Sequence, residues 1–307
     1  MVCHHVRVRG EFWQQVLEGG AQVPRDKPLD DLTHELFEML GDPDPQIRDN
    51  LACTVLATWI GEGVYDELLS GLGDGACVGL SSGLGSDGHD SVFRRSFSAL
   101  VLGEVVSRAN ITGTISPTHM LMWGDAAMTW YVREKDLRGF VTGKGWAHTV
   151  AHGADLLGQL ARSFHFGVHE LTVLLDVVAD RVLTPTTYRL HYGEDDRLAY
   201  AVMAVLHRNL VPGTVVEPLI TRLGSALRKP RGVDEWPCPT AFNAQSFLRA
   251  LHMQLATGVR AQSTPGDEVL FATPPRERAN LILAIVEALR GAAPWLYRQP
   301  APRAVQP

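Results

Sequence analysis

The chain is poor in cysteine, and the cysteines it has are widely scattered. Four occur among 307 residues, namely Cys3, Cys53, Cys77 and Cys238, and no two of them form a Cys-x-x-Cys pair. This distribution fits reduced, buried thiols better than a disulfide framework or a zinc cluster. We therefore expect a cytoplasmic protein with neither a disulfide framework nor a zinc cluster.

Long apolar runs are also missing. No window reaches the ~18 uninterrupted apolar residues that a membrane-spanning helix needs. Residues 1–9 lack the apolar stretch and the small-residue cleavage site of a secretory signal. Neither membrane insertion nor secretion is expected.

Positive charge is in deficit. The 28 Lys and Arg residues are outnumbered by 34 Asp and Glu residues, which gives a formal net charge of -6. Nucleic acids and anionic membranes both select proteins with dense Lys/Arg surfaces. We therefore expect neither as a partner, and a small anionic molecule or another protein remains.

A phosphate-binding loop is not found either. The glycine-rich run at residues 79–88 follows no strand pattern and lacks the Lys-Ser/Thr pair of such a loop. Nucleotide binding by the folds that use this loop is not expected. Whether the chain is an enzyme stays open.

The dominant pattern is helical. Apolar residues recur at i, i+3, i+4 and i+7 in segments of about 10 to 20 residues, separated by short Gly, Pro or Asp punctuation. Residues 32–60 show it most clearly, with a first helix ending at Gly41, a turn in which Asp44 caps and Pro45 starts the next helix, and then a second apolar face. A helix, a tight Asp/Pro turn and a second helix are typical of a HEAT-like repeat.

Further helix pairs follow this first one. They are predicted at residues 65–82 with 91–108, 118–135 with 146–164, 168–182 with 197–210, and 214–228 with 240–256, and a last helix at 275–296 closes the array. Each pair buries its apolar face only against its neighbours, which predicts an all-α, HEAT-like solenoid of stacked antiparallel helix pairs in a single domain. The predicted organisation is an N-terminal helix and linker at 1–28, the HEAT-like domain at 29–298, and a disordered tail at 299–307.

Two histidines, four other ionisable residues and four glycines occur together at residues 136–155, which read Asp-Leu-Arg-Gly-Phe-Val-Thr-Gly-Lys-Gly-Trp-Ala-His-Thr-Val-Ala-His-Gly-Ala-Asp. If a helix begins near Gly145, then His148, His152 and Asp155 lie at i, i+4 and i+7 and project within roughly 60° of one another. Two imidazoles and a carboxylate form a ligand set that divalent metals use. A divalent metal is therefore one predicted cofactor, with these three residues as its ligands.

A metal-free anion site is a second interpretation of the same segment. Arg138, Lys144 and the N-terminus of the helix form a cationic surface that suits a phosphate or carboxylate. The predicted substrate- or anion-binding residues are Asp136, Arg138, Lys144, Trp146 and Arg197.

A third interpretation is purely structural. The two histidines then form hydrogen bonds between helices, and Asp155 pairs with an arginine of a neighbouring helix, because buried polar groups need partners whatever the function. Asp136 and Arg138 would pin the loop as an ion pair, and Trp146 would be a core aromatic. On this interpretation the protein is an interaction scaffold.

Four segments together resemble a known family. They are residues 90–102 (Asp-Ser-Val-Phe-Arg-Arg-Ser-Phe-Ser-Ala-Leu-Val-Leu), 131–140 (Tyr-Val-Arg-Glu-Lys-Asp-Leu-Arg-Gly-Phe), 144–157 (Lys-Gly-Trp-Ala-His-Thr-Val-Ala-His-Gly-Ala-Asp-Leu-Leu) and 194–200 (Glu-Asp-Asp-Arg-Leu-Ala-Tyr). They resemble the bacterial family catalogued as domain of unknown function 2785, over roughly residues 30–295. The resemblance implies a HEAT-like helical fold and places Arg197 with the motif at 144–157, near Asp155 or Asp136. It implies no particular activity.

Overall fold

The structure is a computed structural model, and it describes residues 2–230, 236–261, 264 and 266–297, with side chains from residue 10 onward. The predicted tail at 299–307 lies outside the described residues.

The described residues form thirteen α-helices and one very short hairpin. The helices are α1 Val2–Glu18, α2 Leu29–Met39, α3 Thr54–Gly61, α4 Leu69–Leu80, α5 Ser91–Thr112, α6 Pro117–Arg133, α7 Thr149–Arg162, α8 Val168–Leu183, α9 Glu194–His207, α10 Gly213–Ser225, α11 Pro239–Thr257, α12 Asp267–Leu270 and α13 Arg278–Ala292. A π-helix, Gln46–Cys53, runs directly into α3. Strands β1 (Phe140–Val141) and β2 (Gly145–Trp146) pair antiparallel. The all-α prediction is confirmed.

The turn between α2 and the π-helix has the predicted chemistry. The side chain of Asp44 accepts a hydrogen bond from Gln46 N at 2.9 Å, so it satisfies an N–H group that the start of the helix leaves free. Leu51, Val55 and Trp59 then follow on one face and are buried. The apolar spacing in the sequence therefore places this pair of helices correctly.

The helices pack in two rows that alternate along the chain. Helices α3, α5, α7, α9, α11 and α13 lie side by side in that order, and α4, α6, α8 and α10 form the second row. Contacts between the rows join α4 to α5, α6 to α7, α8 to α9 and α10 to α11. Because α7 lies between α5 and α9 in its row, its side chains are almost all buried.

A close contact between α6 and α7 depends on a glycine. Tyr131 of α6 lies flat over Gly153 of α7, where a Cβ would come within 2.2 Å of the ring. The Tyr131 hydroxyl donates to the Val150 carbonyl oxygen at 2.8 Å. The N-terminal half of α7 is therefore fixed against the second row, and the histidine-containing segment is fixed with it.

Within the described residues, no helix has both the length and the apolar content to cross a membrane.

Candidate functional site

The β1–β2 hairpin precedes α7 and is anchored from the N-terminal part of the chain. Arg48 of the π-helix is fully buried, and its guanidinium donates to the carbonyl oxygens of Lys144 and Asp42, each at 2.8 Å. The guanidinium also lies 4.1 Å from the centroid of the Phe93 ring. Gly145 has a φ of 76°, and a Cβ there would lie 3.0 Å from Pro45 Cβ, so the hairpin needs glycine at this position.

The helix predicted to begin near Gly145 begins instead at Thr149. Ala147 N donates to Gly139 O at 2.8 Å and His148 N donates to Arg138 O at 3.0 Å, so this segment continues the pairing of the hairpin. His148 then adopts a left-handed conformation, with φ 52° and ψ 35°, immediately before α7. The predicted helix start was wrong because extended pairing takes the backbone groups that a helix would use.

The two predicted histidines lie close to each other. Their ring centroids are 5.7 Å apart, and the peptide hydrogen bond from His152 N to His148 O, at 2.9 Å, preserves the predicted i, i+4 relationship. His148 stacks on Trp146 with centroids 4.5 Å apart, and His152 Nδ1 lies 2.8 Å from Ser96 Oγ. Trp146 itself is 37% exposed, so it forms a wall over His148 rather than the core residue that the structural interpretation predicted.

Burial controls the charge of both histidines. It lowers the pKa of His148 to about 4, with Arg197 adding to the effect, and it lowers the pKa of His152 well below its ordinary value. Both rings are therefore neutral near pH 7. Neutral imidazoles of this kind act as hydrogen-bonding groups or as metal ligands.

Asp155, the third predicted ligand, pairs with a residue of α9. Its carboxylate forms an ion pair with Arg197 of α9, as the structural interpretation expected. Burial raises the pKa of Asp155 to about 6, against the opposing effect of Arg197. In the part of the chain that the structure describes, no three His, Cys, Asp or Glu side chains are grouped to hold a metal ion. The assignment of His148, His152 and Asp155 as metal ligands stays a prediction.

Glu194 was not predicted as a site residue. Its side chain is 1% exposed, and its Oε1 lies 3.8 Å from His148 Nε2, and neither atom has a hydrogen-bond partner within the described residues. Its Oε2 accepts from Tyr192 N at 2.7 Å, and burial raises the pKa of the carboxyl. In the sequence, Glu194 is the first of three acidic residues at the start of a helix. The helix dipole favours acidic residues there, so this pattern did not indicate a site.

Asp136 joins three parts of the chain. Its carboxylate is fully buried and accepts from Gly88 N at 3.0 Å and from the Arg138 guanidinium at 2.6 Å. Its carbonyl oxygen accepts from the Thr149 hydroxyl at 2.6 Å, at the start of α7. The predicted pair of Asp136 and Arg138 is therefore present, and it raises the pKa of Arg138.

Lys144 is also neutralised within the chain. Its Nζ lies 2.7 Å from both carboxylate oxygens of Asp90. Arg138 and Lys144 are the two cations that the anion interpretation required, and each already has an acidic partner in the fold.

A buried ion pair lies next to this network and was not predicted. Arg95 Nε and Nη2 lie 2.5 and 2.9 Å from the two carboxylate oxygens of Glu134. The Trp130 indole and the Asp136 amide also donate to this carboxylate, each at 3.0 Å. The available signal was a pair of arginines, Arg94 and Arg95, between Phe93 and Phe97 on a largely apolar helix. Nothing in the sequence indicated the partner of Arg95.

An open groove of about 1120 Å³ crosses the first row of helices. Its lining comes from five successive members of that row, α3, α5, α7, α9 and α11, with Thr264 at one end. The charged residues that line it are Glu104, Arg108, Asp155, Arg162, Asp196 and Arg197. Of the predicted site residues, only Asp155 and Arg197 lie in this groove.

Two of these groove residues have no acid–base partner in the described part of the chain. The arginines pair with Asp66, Asp267 and Asp155, whereas Glu104 and Asp196 form no ion pair with any residue that the structure describes. The Glu104 side chain is exposed in the groove. Desolvation by the neighbouring residues nevertheless raises its pKa, and the charge of Asp155 adds to this effect.

Comparison with known proteins gives one match. The model of a family described as "Protein of unknown function (DUF2785)" matches residues 80–253, more than half of the chain. The matched range holds the hairpin, α7 and most of the groove lining. No curated protein and no solved structure gives a significant match.

Proposed function

The chain belongs to the DUF2785 family, and we propose that within it this protein is a HEAT-like scaffold whose groove binds an extended segment of a partner protein. One observation carries the proposal: a single groove receives side chains from five successive helices of one row. In a helical solenoid the helices of one row form a continuous surface, and such surfaces are the usual binding faces of repeat proteins.

The dimensions of the groove suit a peptide. Neighbouring helices lie roughly 8–10 Å apart, so five of them span about 35 Å. An extended chain rises about 3.3 Å per residue, which corresponds to a segment of about ten residues. The two rows of alternating helices support the HEAT-like arrangement, with residues 29–298 as one domain.

The histidine-containing segment is structural in this proposal. Arg138 and Lys144 are paired with Asp136 and Asp90, so anion binding there would first have to break two ion pairs. His152 contacts Ser96, and buried contacts of this kind fix how helices meet. These contacts favour the scaffold over an anion or metal site. A cytoplasmic location remains a prediction.

The test uses a library of random fluorescent twelve-residue peptides and two tryptophan variants. Ser107 lines the groove, and Ser107→Trp fills it. Thr129 is exposed on α6 in the second row, and Thr129→Trp is the matched control. We expect peptides that bind the wild type and Thr129→Trp equally and bind Ser107→Trp at least tenfold more weakly. A library without binders, or binding that Ser107→Trp leaves unchanged, would overturn the proposal.

A further inference from the structure

We infer that the segment bound in the groove is cationic, and that an arginine or lysine side chain of the partner lies against Glu104 and Asp155. The inference rests on the proposed function and names the chemical class of the partner. It follows from the charges and the apolar surface of the groove.

The groove lining, taken with the acids that pair with its arginines, carries more negative than positive charge. Its three guanidiniums each contact a carboxylate: Arg108 pairs with Asp66 at 2.6 Å, Arg162 pairs with Asp267 at 2.6 Å, and Arg197 pairs with Asp155. The lining and these partners together contain five carboxylates against three guanidiniums. A cationic ligand would compensate this excess, and an anionic ligand would add to it.

Two acids on adjacent helices are costly to keep charged. Burial raises the pKa of Glu104 on α5 and of Asp155 on α7, and the charge of Asp155 adds to the shift of Glu104. Arg197 is the only base paired with either acid within the described residues, and it contacts Asp155 through a single oxygen, Oδ2. A cation placed between the two carboxylates would relieve their repulsion.

Apolar surface beside these acids suits the rest of such a side chain. Leu100, Ile111 and Leu156 line the same groove, and Gly103 lies on α5 immediately before Glu104. Arginine and lysine bury their aliphatic stems against apolar surface while the charged end reaches a polar group. The groove provides both surfaces for one long cationic side chain.

The experiment compares four labelled twelve-residue peptides, (Gly-Ser-Arg)4, (Gly-Ser-Lys)4, (Gly-Ser-Gln)4 and (Gly-Ser-Glu)4, by fluorescence anisotropy at low salt. We expect the Arg and Lys peptides to bind at least tenfold more tightly than the other two. We expect Glu104→Gln to weaken binding of the Arg peptide at least fivefold, and Asp196→Asn to weaken it less. The matched control is Glu217→Gln, an exposed position on α10 of the second row, which should leave binding unchanged.

The outcomes separate this inference from the proposed function. Equal losses in Glu104→Gln and Glu217→Gln would mean that overall charge drives binding, and would overturn the inference. The inference would also fail if Gln or Glu peptides bound best and Ser107→Trp still blocked them, although the groove would then remain a peptide site. Thermal unfolding of each variant shows that it is folded, and Asp196→Asn provides a second test should Glu104→Gln not fold.

Discussion

Arg95 on α5 donates hydrogen bonds to both oxygens of the Glu134 carboxylate, just past the end of α6. The two side chains are 0% and 1% exposed. The pair joins a helix of the first row to one of the second. Because both ions are buried, removal of either leaves the other without its counterion in a place that water does not reach.

We therefore expect Arg95→Met to lower the free energy of unfolding by about 3–5 kcal/mol, the cost of leaving one buried charge unpaired. Urea denaturation monitored by circular dichroism measures this loss. The control is Arg108→Met, which removes the exposed pair with Asp66 and should cost far less, because solvent screens such pairs. Similar losses in the two variants would contradict the special role of the buried pair.

Gly153 allows α7 to contact Tyr131. A Cβ added there would lie 2.2 Å from the ring, so we expect Gly153→Ala to destabilise the protein by about 1–3 kcal/mol through overpacking. Gly71 of α4 has no atom within 4 Å of an added Cβ, and Gly71→Ala should instead stabilise by up to about 1 kcal/mol. Thermal unfolding compares the two variants, and a shift in the same direction for both would argue against the contact.

His148 should make stability fall as the solution becomes acidic. Its pKa is about 4 in the folded protein and 6.5 ordinarily, so between pH 6.5 and 4 the unfolded chain binds a proton that the folded chain does not. The shift is equivalent to about 3 kcal/mol at most, lost as the pH falls through this range.

The measurement is the free energy of unfolding at several pH values for wild type and His148→Asn. Asparagine tolerates the left-handed backbone at this position, so the substitution isolates the titration. We expect a shallower loss of stability in the variant below pH 6.5. His169→Asn, at an exposed position on α8, is the matched control. Parallel curves for wild type and His148→Asn would show that this ring does not contribute.

Arg48 should control the order of the hairpin. With Arg48→Met, the hydrogen bond to the Lys144 carbonyl oxygen is lost, and we expect the amides of Ala147 and His148 to exchange with solvent at least tenfold faster. The exchange rate is measured by mass spectrometry on peptides that cover the hairpin. Lys144→Met removes only the ion pair of that side chain with Asp90. If it increases exchange equally, the anchor lies elsewhere.

Helices were predictable wherever one apolar face runs over several turns. Helix α8 was expected at 168–182 and forms at Val168–Leu183, and the Asp44 cap was read correctly from the turn residues. The hairpin was missed because strands of two residues have no periodicity to detect. The left-handed backbone of His148 was missed for a similar reason, since glycine is the one residue that adopts this conformation routinely and a single histidine gives little indication of it.

The ion pairs of the candidate site were predictable where the two residues are near in sequence, or where a charged residue of the motif needed a partner of opposite charge. Asp136 with Arg138 and Asp155 with Arg197 were both anticipated, and both pairs are present. The carboxylates nearest to Arg95 and His148 were not anticipated, because 39 and 46 residues separate them from Glu134 and Glu194 and only the packing of helices brings them together. The groove had no signal of its own, since its lining is drawn from five helices.

The contact between Arg48 and the hairpin also has a consequence for biosynthesis. The guanidinium and the Lys144 carbonyl oxygen that it binds are separated by 96 residues. Until the ribosome has made the hairpin, the Arg48 guanidinium can therefore reach only its nearby partners, the Asp42 carbonyl oxygen and the Asp49 carboxylate. The N-terminal helices and the hairpin therefore reach their final packing together, and only once residue 146 of the 307 has left the ribosome.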